Sequence, residues 1–141
     1  MSNVIYSIDA LSTGAGRNGH VSTSDHALEL DMAAPEALGG SGNGYNPEQL
    51  FAAGYAACFH SALLGAARIE KVTIADSSVG ARVELVRDGD DGIVLAVTLE
   101  IVLPSVDHDV AVKLADAAHA RCPYSRATRG NIDVTLVVSD D

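Results

Sequence analysis

The strongest constraint on the fold of this chain is a helix signal that begins at Asn46. Asn46 suits the N-cap, Pro47 fits the first helical position, and Glu48 lies in the first turn, where the helix dipole stabilises an anion. We expect this helix to end near Ile69. Small and apolar residues recur along one side of it at helical spacing, namely Leu50, Ala53, Gly54, Ala57, Ser61, Leu64 and Gly65. This small-residue stripe would let a second backbone approach closely.

Short strands are predicted before this helix. Apolar and polar residues alternate from Val4 to Ile8, which is typical of a half-buried strand. A glycine-rich turn at 13–19 follows and carries Arg17. Two further short strands are predicted at 20–23 and 27–32. A glycine-rich irregular loop is predicted at 33–46.

Longer strands and a second helix are predicted after it. The segment 93–103 is apolar on both faces, which indicates a central strand. Ser105 or Asp107 is suited to cap a second helix, which must end before Pro123 because the residue preceding a proline disfavours helical geometry. Further strands are expected at 79–85 and 132–138, with a turn at 88–92. This order predicts an α+β domain with a mostly antiparallel sheet.

The chain has 141 residues, so we predict one domain over 1–141. Its formal net charge of -10 argues against nucleic acid and anionic membranes as partners. The N-terminus lacks the basic and apolar segments of a signal peptide, and we expect a cytoplasmic protein. The apolar stretch 50–67 is interrupted by polar residues, so we interpret it as a buried helix and not as a membrane span.

Two cysteines, Cys58 and Cys122, are the residues with the most distinctive chemistry. The sequence alone is compatible with two interpretations of them. They are either buried core thiols or a pair in which one thiolate reacts with a peroxide and the other resolves the sulfenic acid. The second reading needs a cation that keeps a thiolate ionised. Arg17 is a candidate for it, and Glu48 is a candidate to hold the guanidinium by a bidentate contact.

The histidines give no catalytic or metal-binding pattern. None belongs to an HExxH motif or to a Cys/His quartet, so we expect no metal. His60 is two positions after Cys58, and two such positions on a helix point in nearly opposite directions. We therefore expect a structural or interface role for His60.

Two segments, NPEQLFAAGYAACF at 46–59 and RCPYSRATRGNIDV at 121–134, resemble the organic hydroperoxide resistance proteins (Ohr) of the Ohr/OsmC family. This resemblance implies an OsmC-like fold, in which mostly antiparallel sheets wrap two central helices of an intertwined homodimer. It also implies a cysteine-based peroxidase that reduces organic and fatty-acid hydroperoxides. Arg126 departs from the family pattern, which commonly has Asn there, and adds positive charge beside Cys122.

The resemblance assigns roles to four residues. Cys58 matches the cysteine that reacts with peroxide and Cys122 the resolving cysteine, which implies a disulfide between them. Arg17 and Glu48 match the pair that activates the thiolate. No cofactor is expected to be bound, and the implied reductant is dihydrolipoamide or a lipoylated protein. We expect the alkyl tail of the substrate to contact Leu50, Phe51 and Phe59.

Three alternatives accompany this reading. An OsmC-like peroxidase would share both cysteines but differ in peroxide preference. An apolar-ligand carrier would use the same pocket without cysteine oxidation. A redox sensor would be oxidised once and recycle slowly.

Overall fold

The computed structural model describes residues 2–90 and 92–140. Contacts group the chain into two compact units, Met1–Leu50 and Phe51–Asp141. The expectation of one domain over 1–141 stays a prediction. The predicted turn at 88–92 includes Asp91, which lies outside the described residues.

The N-terminal unit contains a small antiparallel sheet. Its strands are β1 (Ala10–Thr13), β2 (His20–Thr23) and β3 (Glu29–Asp31), in the order β1-β2-β3. Strand β2 is as predicted, and β3 is shorter than the predicted 27–32. One 3-10 turn, Gly16–Asn18, joins β1 to β2. A Cβ at Gly19 would collide with the carbonyl oxygen of Thr13, so this turn requires glycine there.

The predicted N-terminal strand at 4–8 is wrong for this chain. Residues 2–9 form no strand, and Val4, Ile5 and Tyr6 are 85%, 96% and 74% exposed. Alternation gives a strand only where a neighbouring strand accepts its hydrogen bonds, and in this unit β1 begins later, at Ala10.

The glycine-rich loop contains one short regular turn that the sequence did not predict. Glu36–Leu38 forms a 3-10 turn, and Gly39 ends it with a left-handed φ of 83°. A backbone bridge between Met32 and Tyr45 closes the loop. Met32, Ala33 and Ala34 are buried within it. The loop is therefore an ordered part of the N-terminal unit.

Helix α1 runs over Pro47–Glu70, as predicted. Its start is a reciprocal cap, in which the backbone N–H of Gln49 donates to Asn46 Oδ1 at 2.9 Å and the Asn46 N–H donates to Gln49 Oε1 at 2.8 Å. The helix has the length and apolar composition of a membrane-spanning helix, a property that core helices of soluble proteins share. Its residues Tyr55, Phe59 and Leu63 are fully buried in the core.

The C-terminal unit contains a second three-stranded sheet in the order β4-β5-β6. Its strands are β4 (Ser78–Asp88), β5 (Gly92–Val102) and β6 (Asp133–Ser139). Strand β5 is central, as predicted, and pairs antiparallel with β4. It pairs parallel with β6, because the chain between β5 and β6 crosses over through helices.

Two helices lie between β5 and β6. Helix α2 spans His108–Arg121, and Asp107 takes the N-cap position without a side-chain bond. A short helix α3, Pro123–Thr128, follows at once and was not predicted. The core of this unit joins α1, β5 and α2 through Leu99, Ile101 and Leu114.

Candidate active site

Arg17 and Glu48 form a bidentate ion pair within the N-terminal unit. Arg17 Nη1 donates to Glu48 Oε2 at 2.9 Å, and Nη2 donates to Oε1 at 2.8 Å. The hydrogen bond from Arg17 holds the pKa of the Glu48 carboxyl below its usual range, and the same bond raises the pKa of Arg17. The predicted contact between these residues is therefore present, and it fixes the direction of a guanidinium that is still 42% exposed.

Cys58 and Cys122 form a second pair within the C-terminal unit. Their Sγ atoms lie 3.4 Å apart, and both residues are free thiols. Cys58 is on α1 and is half-buried, whereas Cys122 follows the last residue of α2 and is fully buried. The extended backbone of Cys122 (φ -60°, ψ 124°) turns the chain before Pro123, as predicted. The two sulfurs need little movement to form a disulfide.

The surroundings of Cys58 within this unit favour the neutral thiol. Burial raises the pKa of Cys58, and the neighbouring Cys122 thiol raises it further. The backbone N–H of Tyr124 donates to the sulfur and lowers the pKa in opposition. Ionisation of Cys58 at neutral pH therefore needs a positive charge in addition to these contacts.

A buried hydroxyl cluster fastens α3 to α1. The Tyr55 hydroxyl hydrogen-bonds Ser125 Oγ at 2.8 Å and Thr128 Oγ1 at 3.1 Å, and Thr128 Oγ1 donates to the Ser125 carbonyl at 3.2 Å. Tyr55 and Ser125 are fully buried. This hydroxyl cluster fixes the position of Cys122, which directly precedes α3, relative to Cys58.

Aromatic rings complete the contact between α1 and α3. Tyr124 stacks on Phe51 with ring centroids 6.1 Å apart and lies against Tyr55 at 5.7 Å. Gly54 allows this approach, because a Cβ there would lie 3.0 Å from the Tyr124 hydroxyl oxygen. The rings hold the Tyr124 peptide where its N–H reaches the Cys58 sulfur.

A cavity of about 750 Å³ opens on Cys58. Its wall includes Arg68 of α1, Arg121 of α2 and Arg126 of α3, together with small residues such as Ser61 and Gly65. This cavity arginine group, Arg68, Arg121 and Arg126, places positive charge around the entrance to the sulfur.

The residues predicted to contact the alkyl tail are not among the described residues that line this cavity. Phe59 is fully buried in the core. Phe51 packs on Tyr55 and Tyr124. The contacts of Leu50, Phe51 and Phe59 with a substrate stay predictions.

Sequence reasoning missed most of the residues around the cysteines. Tyr55 and Ser125 lie within the two recognised segments, but a hydrogen bond between distant positions leaves no local pattern. Arg68 and Arg121 lie in last turns of helices, where a basic residue is commonplace. Only Arg126 gave a signal, through its departure from the family pattern. His60 has the structural role that was predicted, since its Nε2 hydrogen-bonds Ser77 Oγ at 2.8 Å.

Comparison with known proteins gives consistent matches. The family model described as OsmC-like protein matches residues 40–137. The organic hydroperoxide resistance protein OhrA of Bacillus subtilis is 46% identical over 143 residues, covering 99% of this chain and 100% of that protein.

Two solved structures are similar over nearly their whole length. An organic hydroperoxide resistance protein OsmC from Legionella pneumophila is 46% identical, with a TM-score of 0.93 over 97% of this chain and 99% of that chain. The organic hydroperoxide resistance protein OhrB of Bacillus subtilis is 42% identical, with a TM-score of 0.87 over 96% of this chain and 100% of that chain.

Proposed function

This chain belongs to the OsmC family and has its α+β fold, and on that premise we propose that it is a thiol-dependent peroxidase that reduces organic hydroperoxides to alcohols. The names of its Bacillus subtilis and Legionella pneumophila relatives support the substrate class. The observation that carries the proposal is the arrangement of the two sulfurs. Cys58 opens on a cavity and lies 3.4 Å from a second, fully buried thiol.

In the first step, the Cys58 thiolate attacks the terminal oxygen of the hydroperoxide. The O–O bond breaks, the alkoxide takes a proton and leaves as an alcohol, and Cys58 becomes a sulfenic acid. The cavity gives the peroxide access to this sulfur. The terminal oxygen of the peroxide thus stays on Cys58 until the next step, and the other oxygen leaves in the alcohol.

Arg17 supplies the positive charge that this step needs. Burial raises the pKa of Cys58, so few thiols would ionise at neutral pH without a cation. Arg17 stays charged, and its bidentate contact with Glu48 orients the guanidinium in advance. In this proposal the Arg17–Glu48 pair acts on Cys58 and also on the oxygen that becomes the leaving group.

Cys122 resolves the sulfenic acid. Its sulfur attacks Cys58 Sγ, the S–S bond forms, and the hydroxyl group leaves as water after taking a proton. Because the sulfurs are already in contact, closure competes well with further oxidation of Cys58. The burial of Cys122 protects the resolving thiol from direct oxidation.

A dithiol, namely dihydrolipoamide or a lipoylated protein, returns the enzyme to its reduced form. Its first thiolate attacks Cys58 Sγ, and Cys122 leaves as a thiolate that takes a proton. Its second thiolate then releases Cys58 and closes a cyclic disulfide in the reductant. Attack falls on Cys58 because Cys122 is fully buried.

We further propose that the protein is a cytoplasmic homodimer. Two exposed features support pairing of two copies. Ala53 and Ala57, which belong to the first half of the small-residue stripe and are not among the residues that line the cavity, are exposed on α1, and Val4 and Ile5 are exposed on the N-terminal segment. Apolar surface of this kind is commonly covered by a partner.

The test is turnover of cumene hydroperoxide with dihydrolipoamide, comparing the unmodified protein with Cys58→Ser. We expect sustained consumption of peroxide by the first and none by the second. Full activity of Cys58→Ser would overturn the proposal. Hydrogen peroxide is the second substrate, because a marked preference for it would favour the OsmC-like alternative.

A further inference from the structure

The geometry points to a carboxylate-binding function for the cavity arginine group. We propose that Arg68, Arg121 and Arg126 bind a carboxylate on the molecules that reach Cys58, and so favour anionic over neutral co-substrates. This inference rests on the proposed peroxidase function and deepens it. It concerns the charge of the ligand, which the proposed reaction at the Cys58 sulfur does not determine.

The charge of this cavity is opposite to that of the whole chain. The protein has 19 acidic residues and only 9 lysines and arginines. Arg68, Arg121 and Arg126 line this one cavity, and among the described residues its lining includes no Asp or Glu. A local positive field in an acidic protein raises the concentration of anions at that place.

These guanidinium groups are also available to a ligand. Within residues 2–90 and 92–140, none of the three forms an ion pair with a carboxylate, whereas Arg17 is paired with Glu48. The Arg68 guanidinium lies over Gly65, with Nη2 3.6 Å from the place of an added Cβ. Glycine thus leaves free space beneath it in the cavity wall.

Helix stability alone does not account for this arrangement. Each of the three arginines is in the last turn of its helix, where the helix dipole favours a cation. That effect operates wherever a helix ends. It does not require three helices to end around the same cavity, beside the half-buried Cys58 of a cysteine pair.

Both co-substrates meet this group, because Cys58 is the accessible sulfur of the pair. The hydroperoxide and the reducing dithiol each reach the Cys58 sulfur, and Cys122 is fully buried. A carboxylate on either molecule meets the same guanidinium groups. The two sources are therefore tested separately.

The experiment uses matched pairs that differ in one carboxylate. One pair is linoleic acid hydroperoxide and its methyl ester, both with dihydrolipoamide. The other is dihydrolipoate and dihydrolipoamide, both with cumene hydroperoxide. The readout is the ratio of kcat/KM for the acid to kcat/KM for its neutral partner, measured in the same protein sample, so loss of folded protein cancels.

The variants are Arg68→Gln, Arg121→Gln, Arg126→Gln and the triple variant, with Arg82→Gln as the control. Arg82 is an exposed arginine of β4 and carries the same charge. We expect each single change to lower the ratio about two- to fivefold in at least one pair, and the triple change to lower it further. Arg126→Lys should retain most of the ratio, and Arg82→Gln should leave it unchanged.

Two results would overturn the inference. One is a ratio that stays constant in both pairs across all the arginine variants. The other is an equal fall in Arg82→Gln, which would assign the effect to total charge. Failure of the unmodified protein to consume even the neutral pair, methyl ester with dihydrolipoamide, would instead contradict the peroxidase proposal itself.

Discussion

At Cys58, burial and reactivity make opposite demands on one sulfur. Burial and the nearby Cys122 raise the pKa of the thiol, and the Tyr124 N–H compensates in part. The proposed reaction needs the thiolate. We therefore expect the Arg17–Glu48 pair to promote the reaction by lowering the pKa of Cys58.

Replacing Arg17 by alanine should move the ionisation of Cys58 to higher pH. The rate of reaction with peroxide rises with pH as the thiol ionises. In Arg17→Ala we expect the midpoint of this rise above the ordinary cysteine value of about 8.5, because burial then raises the pKa of Cys58 without the opposing charge of Arg17. In the unmodified protein the midpoint should lie at lower pH, because a nearby positive charge favours the thiolate.

The measurement is the second-order rate of peroxide reduction against pH, together with thiolate absorbance. Arg87→Ala, which removes an exposed arginine of β4, is the matched control and should leave the midpoint in place. Identical midpoints in Arg17→Ala and the unmodified protein would assign activation to another group.

Removing the resolving thiol should stop the cycle after one turnover. In Cys122→Ser, Cys58 still reacts with the first equivalent of peroxide, but no second sulfur traps the sulfenic acid. We expect one equivalent of alcohol, then further oxidation of Cys58 when peroxide is in excess. Continued turnover with dihydrolipoamide at the unmodified rate would show that the reductant resolves Cys58 directly.

At the scale of elements, the contact between α1 and α3 holds the cysteines together. The Tyr55 hydroxyl forms hydrogen bonds with two buried hydroxyl groups, and Gly54 leaves space for the Tyr124 ring. A buried hydroxyl without a partner costs more than the bond itself contributes. The hydroxyl cluster should therefore affect both stability and the rate of disulfide closure.

Tyr55→Phe should destabilise the protein by about 1–3 kcal/mol, because it leaves buried hydroxyl groups with fewer partners. It should also slow closure of the disulfide more than the first reaction of Cys58 with peroxide. Urea unfolding measures the change in stability, and rapid mixing with thiol-specific quenching measures the rate of disulfide closure. Tyr45→Phe, at an exposed tyrosine, is the control. Unchanged stability and closure in Tyr55→Phe would remove the proposed role of the hydroxyl cluster.

The sequence predicted those elements whose signals are local. Helix α1 follows from its cap and small-residue stripe, and β5 from apolar residues on both faces. Helix α3 has six residues, too few for a periodic pattern. The parallel pairing of β6 with β5 and the exposure of residues 4–6 depend on distant parts of the chain, which local alternation does not encode.

The site was predictable to a similar extent. The resemblance nominated Cys58 and Cys122, and the structure places their sulfurs in contact. The Arg17–Glu48 contact was also anticipated. The roles of Tyr55 and the cavity arginine group could not be predicted, because they arise where three helices meet.

At the scale of the whole molecule, the proposed homodimer would cover the exposed apolar surface. Ala53→Glu places a charge on the exposed part of the small-residue stripe, and we expect it to shift the protein from dimer to monomer at micromolar concentration. Sedimentation velocity measures this change. Thr135→Glu, on the exposed side of β6, is the control and should remain dimeric. A monomeric unmodified protein would contradict the proposed homodimer.

The most direct test of the account is the intact mass of the unmodified protein under non-reducing conditions, after one equivalent of cumene hydroperoxide. We predict a loss of about 2 Da, with Cys58 and Cys122 joined within one chain, because disulfide formation removes two hydrogens. An unchanged mass, a bridge between two chains, or a stable gain of about 16 Da without a disulfide would contradict it.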